Sequence, residues 1–243
     1  MRRVFLLIGW GLLLGLGVGT ARADLVDDLL RIHVETLGGR QALADLAALR
    51  AIGHSEFGEQ RMRFVMWAAR PNQIRIESID ATRTQTQAWD GESLPWRQTR
   101  GPTGRSAPET MTAEEAAQFT TDANFDDPLV MAASGEGSVD YAGEDVIRGR
   151  PVHKLLVMQR FVHLITVYLD AESFLILRQE HTRAAGTNRE VVVATDFFDY
   201  REVDGVKLPH RLEVTLGGRP WVTTELEQMA GNPLIPPAFF SKP

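Results

Sequence analysis

The chain has 243 residues, 44% of them hydrophobic and 24% charged, which are the proportions of a globular protein. Lys and Arg number 26 against 32 Asp and Glu. The three charges before residue 24 (Arg2, Arg3, Arg22) are all positive, so without them the balance is 23 against 32, a net charge of −9. A chain this acidic, with no block of Lys and Arg, is expected to be repelled by phosphate backbones and by anionic lipid headgroups, which excludes nucleic acid as a partner. With no cysteine there is no disulfide framework, no thiolate metal ligand and no thiol nucleophile.

Met1-Arg2-Arg3 precedes an apolar run from Val4 to Val18, broken only by glycines, and Ala21-Arg22-Ala23 follows as a small-x-small cleavage pattern. The run would make about 22 Å of helix, short of the roughly 30 Å hydrocarbon core, so a cleaved secretory signal over 1–23 fits better than an anchor. Residues 24–243 are then expected as one domain, exported to the periplasm after cleavage behind Ala23.

From Asp24, Leu25, Leu29 and Ile32 recur at helical spacing and Gly38-Gly39 ends the helix. A second helical stripe follows over Arg40 to Leu49. The period then drops to two. Met62, Phe64 and Met66 alternate with Arg61, Arg63, Val65 and Trp67, and Ile74 and Ile76 alternate with Gln73, Arg75 and Glu77. Thr82 to Trp89 continues the series to Asp90-Gly91. Residues 99–111, rich in Gly and Pro, predict an exposed loop where the sheet stops. Thr112 and Glu115 form a capping-box pattern, and Asp126-Asp127-Pro128 opens another short helix. The segment 99–133 thus predicts a loop and helical lid. Strands return from Val139 to Met229 with connections short enough to demand antiparallel neighbours, among them Gly149-Arg150-Pro151, Asp204-Gly205 and Gly217-Gly218.

The expected fold is mainly β with α: a curved antiparallel meander of about ten or eleven strands. Several strands, such as Leu155 to Met158 and Leu164 to Leu169, are apolar on both sides, and three short helices cannot cover so much surface. The remainder predicts an interface or an internal cavity.

Leu37-Gly38-Gly39-Arg40-Gln41-Ala42-Leu43, Arg70-Pro71-Asn72-Gln73-Ile74-Arg75, Ala88-Trp89-Asp90-Gly91-Glu92-Ser93 and the run Tyr200 to Pro209 resemble the outer-membrane lipoprotein-sorting group of periplasmic proteins, the LolA/LolB-like carriers. The similarity is to a broad branch of that group. It implies a half-barrel whose helices cover the concave face and which binds acyl chains beneath them. The implied partners are a lipid or an acylated lipoprotein, with membrane-bound donor and acceptor proteins; no cofactor and no catalysis are implied. In those carriers a strand arginine holds the lid closed, and Arg63 and Arg75 are the candidates here.

Met62, Phe64, Met66, Ile74, Ile76 and Trp89 are the candidate ligand-binding residues, thioethers and aromatic rings suiting ligands of variable shape; plain core packing is the competing reading. No two of the six histidines have the i, i+4 spacing of a metal motif, so no metal is expected. Ser55 lacks the glycine of a nucleophile elbow. Asp126 and Asp127 could pair as acid and base, but helix capping needs less. An envelope protein-interaction or stress-sensor module and an envelope lipid hydrolase remain as alternatives to the carrier.

Overall fold

The computed structural model describes residues 17–121, 126–159, 163–184 and 190–243. The first helix, α1, spans Gly17–Leu37, and α2 spans Gly39–Asp45. Strands β1 (Ala48–Phe57), β2 (Gln60–Ala69), β3 (Gln73–Ile79), β4 (Thr84–Trp89) and β5 (Trp96–Gly101) follow as a meander, with β6 (Gly104–Arg105) and β7 (Glu109–Thr110) both paired to β5. Two short helices, α3 (Ala113–Thr121) and α4 (Pro128–Ala133), separate this half from β8 (Gly137–Ile147), β9 (Arg150–Gln159), β10 (His163–Asp170), β11 (Ile176–Ala184), β12 (Glu190–Val203), β13 (Val206–Leu216) and β14 (Arg219–Gly231).

All fourteen strands belong to one antiparallel sheet that does not close, ordered β6-β5-β4-β3-β2-β1-β14-β13-β12-β11-β10-β9-β8. The junction of the two meanders is β1 against β14, so the last long strand returns beside the first. The sequence predicts ten or eleven strands; the excess comes from β1, β5 and the two-residue β6 and β7. Residues 99–111 are mostly exposed and lie at the edge of the sheet, but they carry the end of β5 and the short strands β6 and β7 instead of a plain loop. Their Gly-Pro chemistry makes tight turns within the sheet, and Met111 at their end is buried.

The turn pairs fold as their chemistry requires. Arg148-Gly149, Asp204-Gly205 and Gly217-Gly218 all take positive φ, the geometry of two-residue hairpins whose twist matches the strands. Thr112 and Glu115 exchange capping bonds, Thr112 N–H donating to Oε2 at 2.9 Å and Glu115 N–H to the Thr112 hydroxyl at 3.3 Å. Asp127 caps α4, accepting from Leu129 N–H at 2.8 Å and Val130 N–H at 3.0 Å. These elements were legible because each depends on neighbours within four residues.

Two helical clusters cover parts of one face. Leu29 of α1 and Leu129 of α4 pack on Leu155, Val157, Val167, Leu169 and Ile176, while Val34, Leu37, Leu43, Leu46 and Val130 pack around Val206. On the other half, Ala116 and Phe119 of α3 pack on Ile74, with Met66, Ile76 and Trp89 around them. On the opposite face the C-terminal segment straps the sheet: Phe240 packs on Ala48 and Ala69, joined by Trp67, Ile235 and Phe239.

The α1–α2 corner explains one glycine of the Leu37–Leu43 motif. Gly38 has φ 130° beside the β12–β13 turn, and a Cβ there would stand 2.0 Å from the Gly205 carbonyl oxygen. Gly38→Ala is therefore expected to cost about 2–3 kcal/mol and to lower the melting temperature by roughly 5–10 °C. A melt within 2 °C of the parent would show that the corner can move away from the turn.

Candidate functional site

Cross-strand register assigns the faces. Residues directly opposite in antiparallel strands point the same way, so the pairs can be followed across the sheet. Met62 pairs with Ser55, Ser55 with Thr224, Thr224 with Leu212 and Leu212 with Phe197. Ser78 pairs with Phe64, Phe64 with Gly53 and Gly53 with Leu226. Ile76 pairs with Met66, and Trp89 with Ile74. Met62, Phe64, Met66, Ile74, Ile76 and Trp89 therefore share one face, the face on which α3 packs.

Ile74 is buried and belongs to the α3 cluster as plain core, while the other five are only half-buried. Phe64, Leu226, Leu212 and Val214 are likewise half-buried and stand outside both helical clusters. The result is an apolar strip on β2, β1, β14 and β13 between the helices of the two halves. The sequence-predicted residues form its β2 and β3 side; Leu212, Val214 and Leu226 were missed because their side of the sheet can be assigned only once the β1–β14 pairing is known.

Gly53 sits at a register shift between Ile52 and Gly53, and a Cβ there would lie 2.1 Å from the Glu225 carbonyl oxygen and 3.1 Å from the Phe64 ring. The bare glycine lets Phe64 lie down over β1, as an aromatic ring does over a strand glycine. The Ser55 and Thr224 hydroxyls bond each other at 2.9 Å, which satisfies the two polar side chains of the strip internally.

The helices are tied down by a polar node on two consecutive aspartates. Arg70, between β2 and β3, binds both carboxylate oxygens of Asp126, Nη2 to Oδ1 at 2.7 Å and Nη1 to Oδ2, and also donates to the carbonyls of Leu43 at 2.9 Å and Leu46 at 3.2 Å. Asp127 meets His33 of α1, whose Nε2 is 3.0 Å from Oδ2 and whose Nδ1 bonds the Phe174 carbonyl at 2.8 Å. His33 is 1% exposed. One arginine thus holds the end of α2 and the start of α4, and one histidine holds α1 to α4 and to the β10–β11 turn.

Burial alone would pull the His33 imidazole down, but the Asp127 charge and its hydrogen bond outweigh this and raise its pKa above the ordinary value. Burial would push Asp127 up, and the His33 charge with the Val130 and Leu129 amides holds it below the usual carboxylate range. Tyr200, donating to the Ile176 carbonyl at 2.9 Å, is pushed far up by burial and then by the Asp127 charge, so it stays neutral. Both aspartates are engaged in holding helices.

Neither predicted lid arginine lies at this node. Arg63 is exposed, opposite His54 and Ile79, with no ion pair among the described residues. Arg75 bonds Glu77 at 2.7 Å and the Phe239 carbonyl at 3.0 Å and lies 4.6 Å from the Phe239 ring, so it holds the C-terminal strap on the other face. Alternation explains both: odd positions in β2 and β3 face away from the helices. The residue that ties helices to sheet is Arg70, in the Arg70–Arg75 motif but at a strand end, where periodicity says nothing about direction.

Two crevices of about 380 and 420 Å³ lie elsewhere, one around Thr82, Thr99 and Gly101–Ser106, the other around Phe198, His210 and Glu225. Among the described residues no group of three or more His, Cys, Asp or Glu is placed to hold a metal ion.

No protein-family model and no curated protein matches the chain. Among solved structures, an outer membrane lipoprotein-sorting protein domain from Vibrio parahaemolyticus is similar at TM-score 0.60 and 9% identity, covering 90% of this chain and 97% of that one. A DUF1329 family protein from Desulfovibrio piger is similar at TM-score 0.59 and 13% identity, with the same two coverages. A LolA superfamily protein from Nitrosomonas europaea follows at TM-score 0.57 and 11% identity, covering 89% of this chain and 97% of that one. The fold is therefore the one these proteins share, in agreement with the resemblance read from the turns and strand starts.

The two titrations of the node have opposite signs. His33, raised in the folded state, contributes stability that is full below its unfolded value near 6.5 and is lost as pH rises through the folded value. Asp127, lowered, contributes stability that is present above about 3.9 and is lost as pH falls through its folded value. His33→Gln is thus expected to melt well below the parent at pH 6, with the gap narrowing as pH is raised toward 9. Thermal melts across that range check this; a gap independent of pH would mean that His33 is neutral when folded.

Proposed function

We propose that the protein is a periplasmic, non-catalytic carrier of an apolar ligand, with the acyl chains of a lipid or an acylated lipoprotein lying along the strip between the two helical groups. The observation that supports this best is the continuity of half-buried apolar side chains from Ile76, Met66, Phe64 and Met62 across to Leu212, Val214 and Leu226. A strand face left half-open beside well-packed helices suits a ligand that completes the core. Each methylene so buried contributes about 0.8 kcal/mol, and a sixteen-carbon chain supplies on the order of 10 kcal/mol before ordering costs. In this reading the helices α1, α2, α3 and α4 form the cover, Arg70 and His33 hold it shut, and membrane-bound donor and acceptor proteins load and unload it.

A fluorescent fatty acid tests the strip. Phe64→Asp is expected to abolish binding, since it puts a carboxylate on the wall. Ile76→Ala only enlarges the space; at a half-buried position it costs about 1–2 kcal/mol of stability and is expected to weaken binding several-fold. Parent protein that binds no acyl probe, or folded variants of both kinds that bind like the parent, would remove the carrier reading and leave the interaction module.

Export is tested separately. No helix among the described residues is long and apolar enough to cross a membrane. With cleavage after Ala23, N-terminal sequencing of the exported protein is expected to return Asp24; Met1 on membrane-bound material would overturn it.

A further inference from the structure

The topology sorts the strand connections onto two rims. At one lie the β2–β3, β4–β5, β8–β9, β10–β11 and β12–β13 turns together with the Arg70–Asp126 and His33–Asp127 pairs. At the other lie the connections β1–β2, β3–β4, β5–β6 and β13–β14, beside the described ends of β9, β10, β11 and β12, since consecutive antiparallel strands must turn at alternate ends. The C-terminal end of α1 packs beside Leu46 and Val206 at the first rim, so α1 leads back toward the second.

The second rim is apolar in a way that packing does not require. Phe57 is 37% exposed, Ile79 41%, Leu164 52%, Val192 47% and Trp221 40%, and each is among the first or last three residues of its strand at this rim. Four exposed guanidinium groups stand among them: Arg63 pairs across strands with Ile79, Arg100 and Arg105 flank the β5–β6 turn, and Arg219 opens β14. None of the four has a carboxylate partner among the described residues. Arg183 lies 5.6 Å from the Trp221 ring. Leu94 and Val146, the exposed apolar side chains of the first rim's turns, stand instead beside Glu92 and Asp145. The second rim carries acids too, Glu56, Glu59, Asp80 and Glu190, but Arg61, Arg63, Arg83, Arg100, Arg105, Arg183 and Arg219 outnumber them, so this rim combines apolar tips with an excess of positive charge against the net negative charge of the chain.

We propose that this second rim is a membrane-docking surface that rests on anionic lipid headgroups. Isolated apolar tips on hairpins reach only the interfacial layer, where an indole with its polar N–H is well placed, and arginine supplies the attraction to phosphate. The charge complementarity is local: the rim meets the bilayer first, its arginines outnumber its own acids, and the acids of the far rim are several Debye lengths away, each length being about 8 Å at physiological salt. The inference rests on the carrier reading for its purpose, since a docked rim would set the end of the apolar strip near the lipid from which a chain is drawn.

The test is amide hydrogen exchange on the full chain, with vesicles of phosphatidylglycerol mixed into phosphatidylcholine and with vesicles of phosphatidylcholine alone. Binding through the apolar N-terminal segment alone would protect the parent and the Arg63→Glu/Arg219→Glu double variant alike, so the comparison of the two separates it from docking by the rim. Protection is expected at 57–63, 79–84 and 217–222 with the anionic vesicles and not at 90–94 or 144–149. In the Arg63→Glu/Arg219→Glu double variant that protection is expected to need roughly tenfold more lipid or more. Protection that is absent from the second rim, stronger at 90–94 and 144–149, equal on both vesicle types, or unchanged in the double variant would overturn the proposal. Acyl-probe binding measured without vesicles reads the concave strip alone, so loss of the docking surface and loss of the carrier reading give different results.

Discussion

A sheet of fourteen strands has two faces, and the described residues supply one helix of 21 residues, three short helices and a C-terminal strap to cover them. That shortage of covering elements governs the rest of the structure. The larger helical group is spent on β8–β13, where Leu155, Val157, Val167 and Leu169 are fully buried. Helix α3 covers β2–β4, and the strap from Asn232 onward covers the opposite face of the same half through Phe239 and Phe240. What is left over is the concave side around Ser55 of β1, Leu212 and Val214 of β13 and Leu226 of β14, whose apolar side chains remain half-open because no helix among the described residues packs on them.

Short helices bury too little to stay in place by packing alone. Helix α4 is six residues long and α2 seven, well below the length at which a helix holds itself together in water. Their positions are instead fixed at their ends. Arg70 takes two carbonyls at the end of α2 and both oxygens of Asp126, and Asp127 is shared between the α4 amides and His33. An arginine fork suits this because its planar donors reach a carboxylate and two carbonyls at once. Removing Asp126 would take the carboxylate from Arg70, and removing Asp127 would take it from the buried His33, so each of the two adjacent acids fixes a different helix junction.

What could be read from the sequence was whatever depends on near neighbours. The capping box at Thr112, the Asp127 cap and the hairpin glycines at 149, 205 and 217–218 are local, and so are the alternations of β2, β3 and β13. The face shared by Met62, Phe64, Met66 and Ile76 followed from the same period of two. The node did not, because His33 and Asp127 are 94 residues apart and Arg70 and Asp126 are 56 apart. Choosing Arg63 and Arg75 applied a role to the right strands, but the period of two that placed Phe64 and Ile76 toward the helices places both arginines away from them. Strand β1 shows the converse difficulty: Gly53, His54 and Ser55 carry little β signal, and the strand is central because β14 returns to it.

The two rims give the half-barrel a mechanical direction. Among the described residues the ion pairs that fix the helices, at Arg70, at His33 and between Arg97 of β5 and Glu115 of α3, lie at one rim; toward the other, where the hairpin tips stand, the tie is a neutral one, from Gln159 Nε2 to the Met131 sulfur of α4 at 3.3 Å. A cover fastened at one end opens most easily at the other, because the displacement there disturbs apolar contacts between half-buried side chains rather than a buried ion pair. The apolar strip therefore has its stiff end beside the node and its compliant end beside Phe57, Ile79 and Trp221. An acyl chain entering from the compliant end would meet Met62 and Phe64 before Met66 and Ile76, in the order of their approach to the buried α3 cluster.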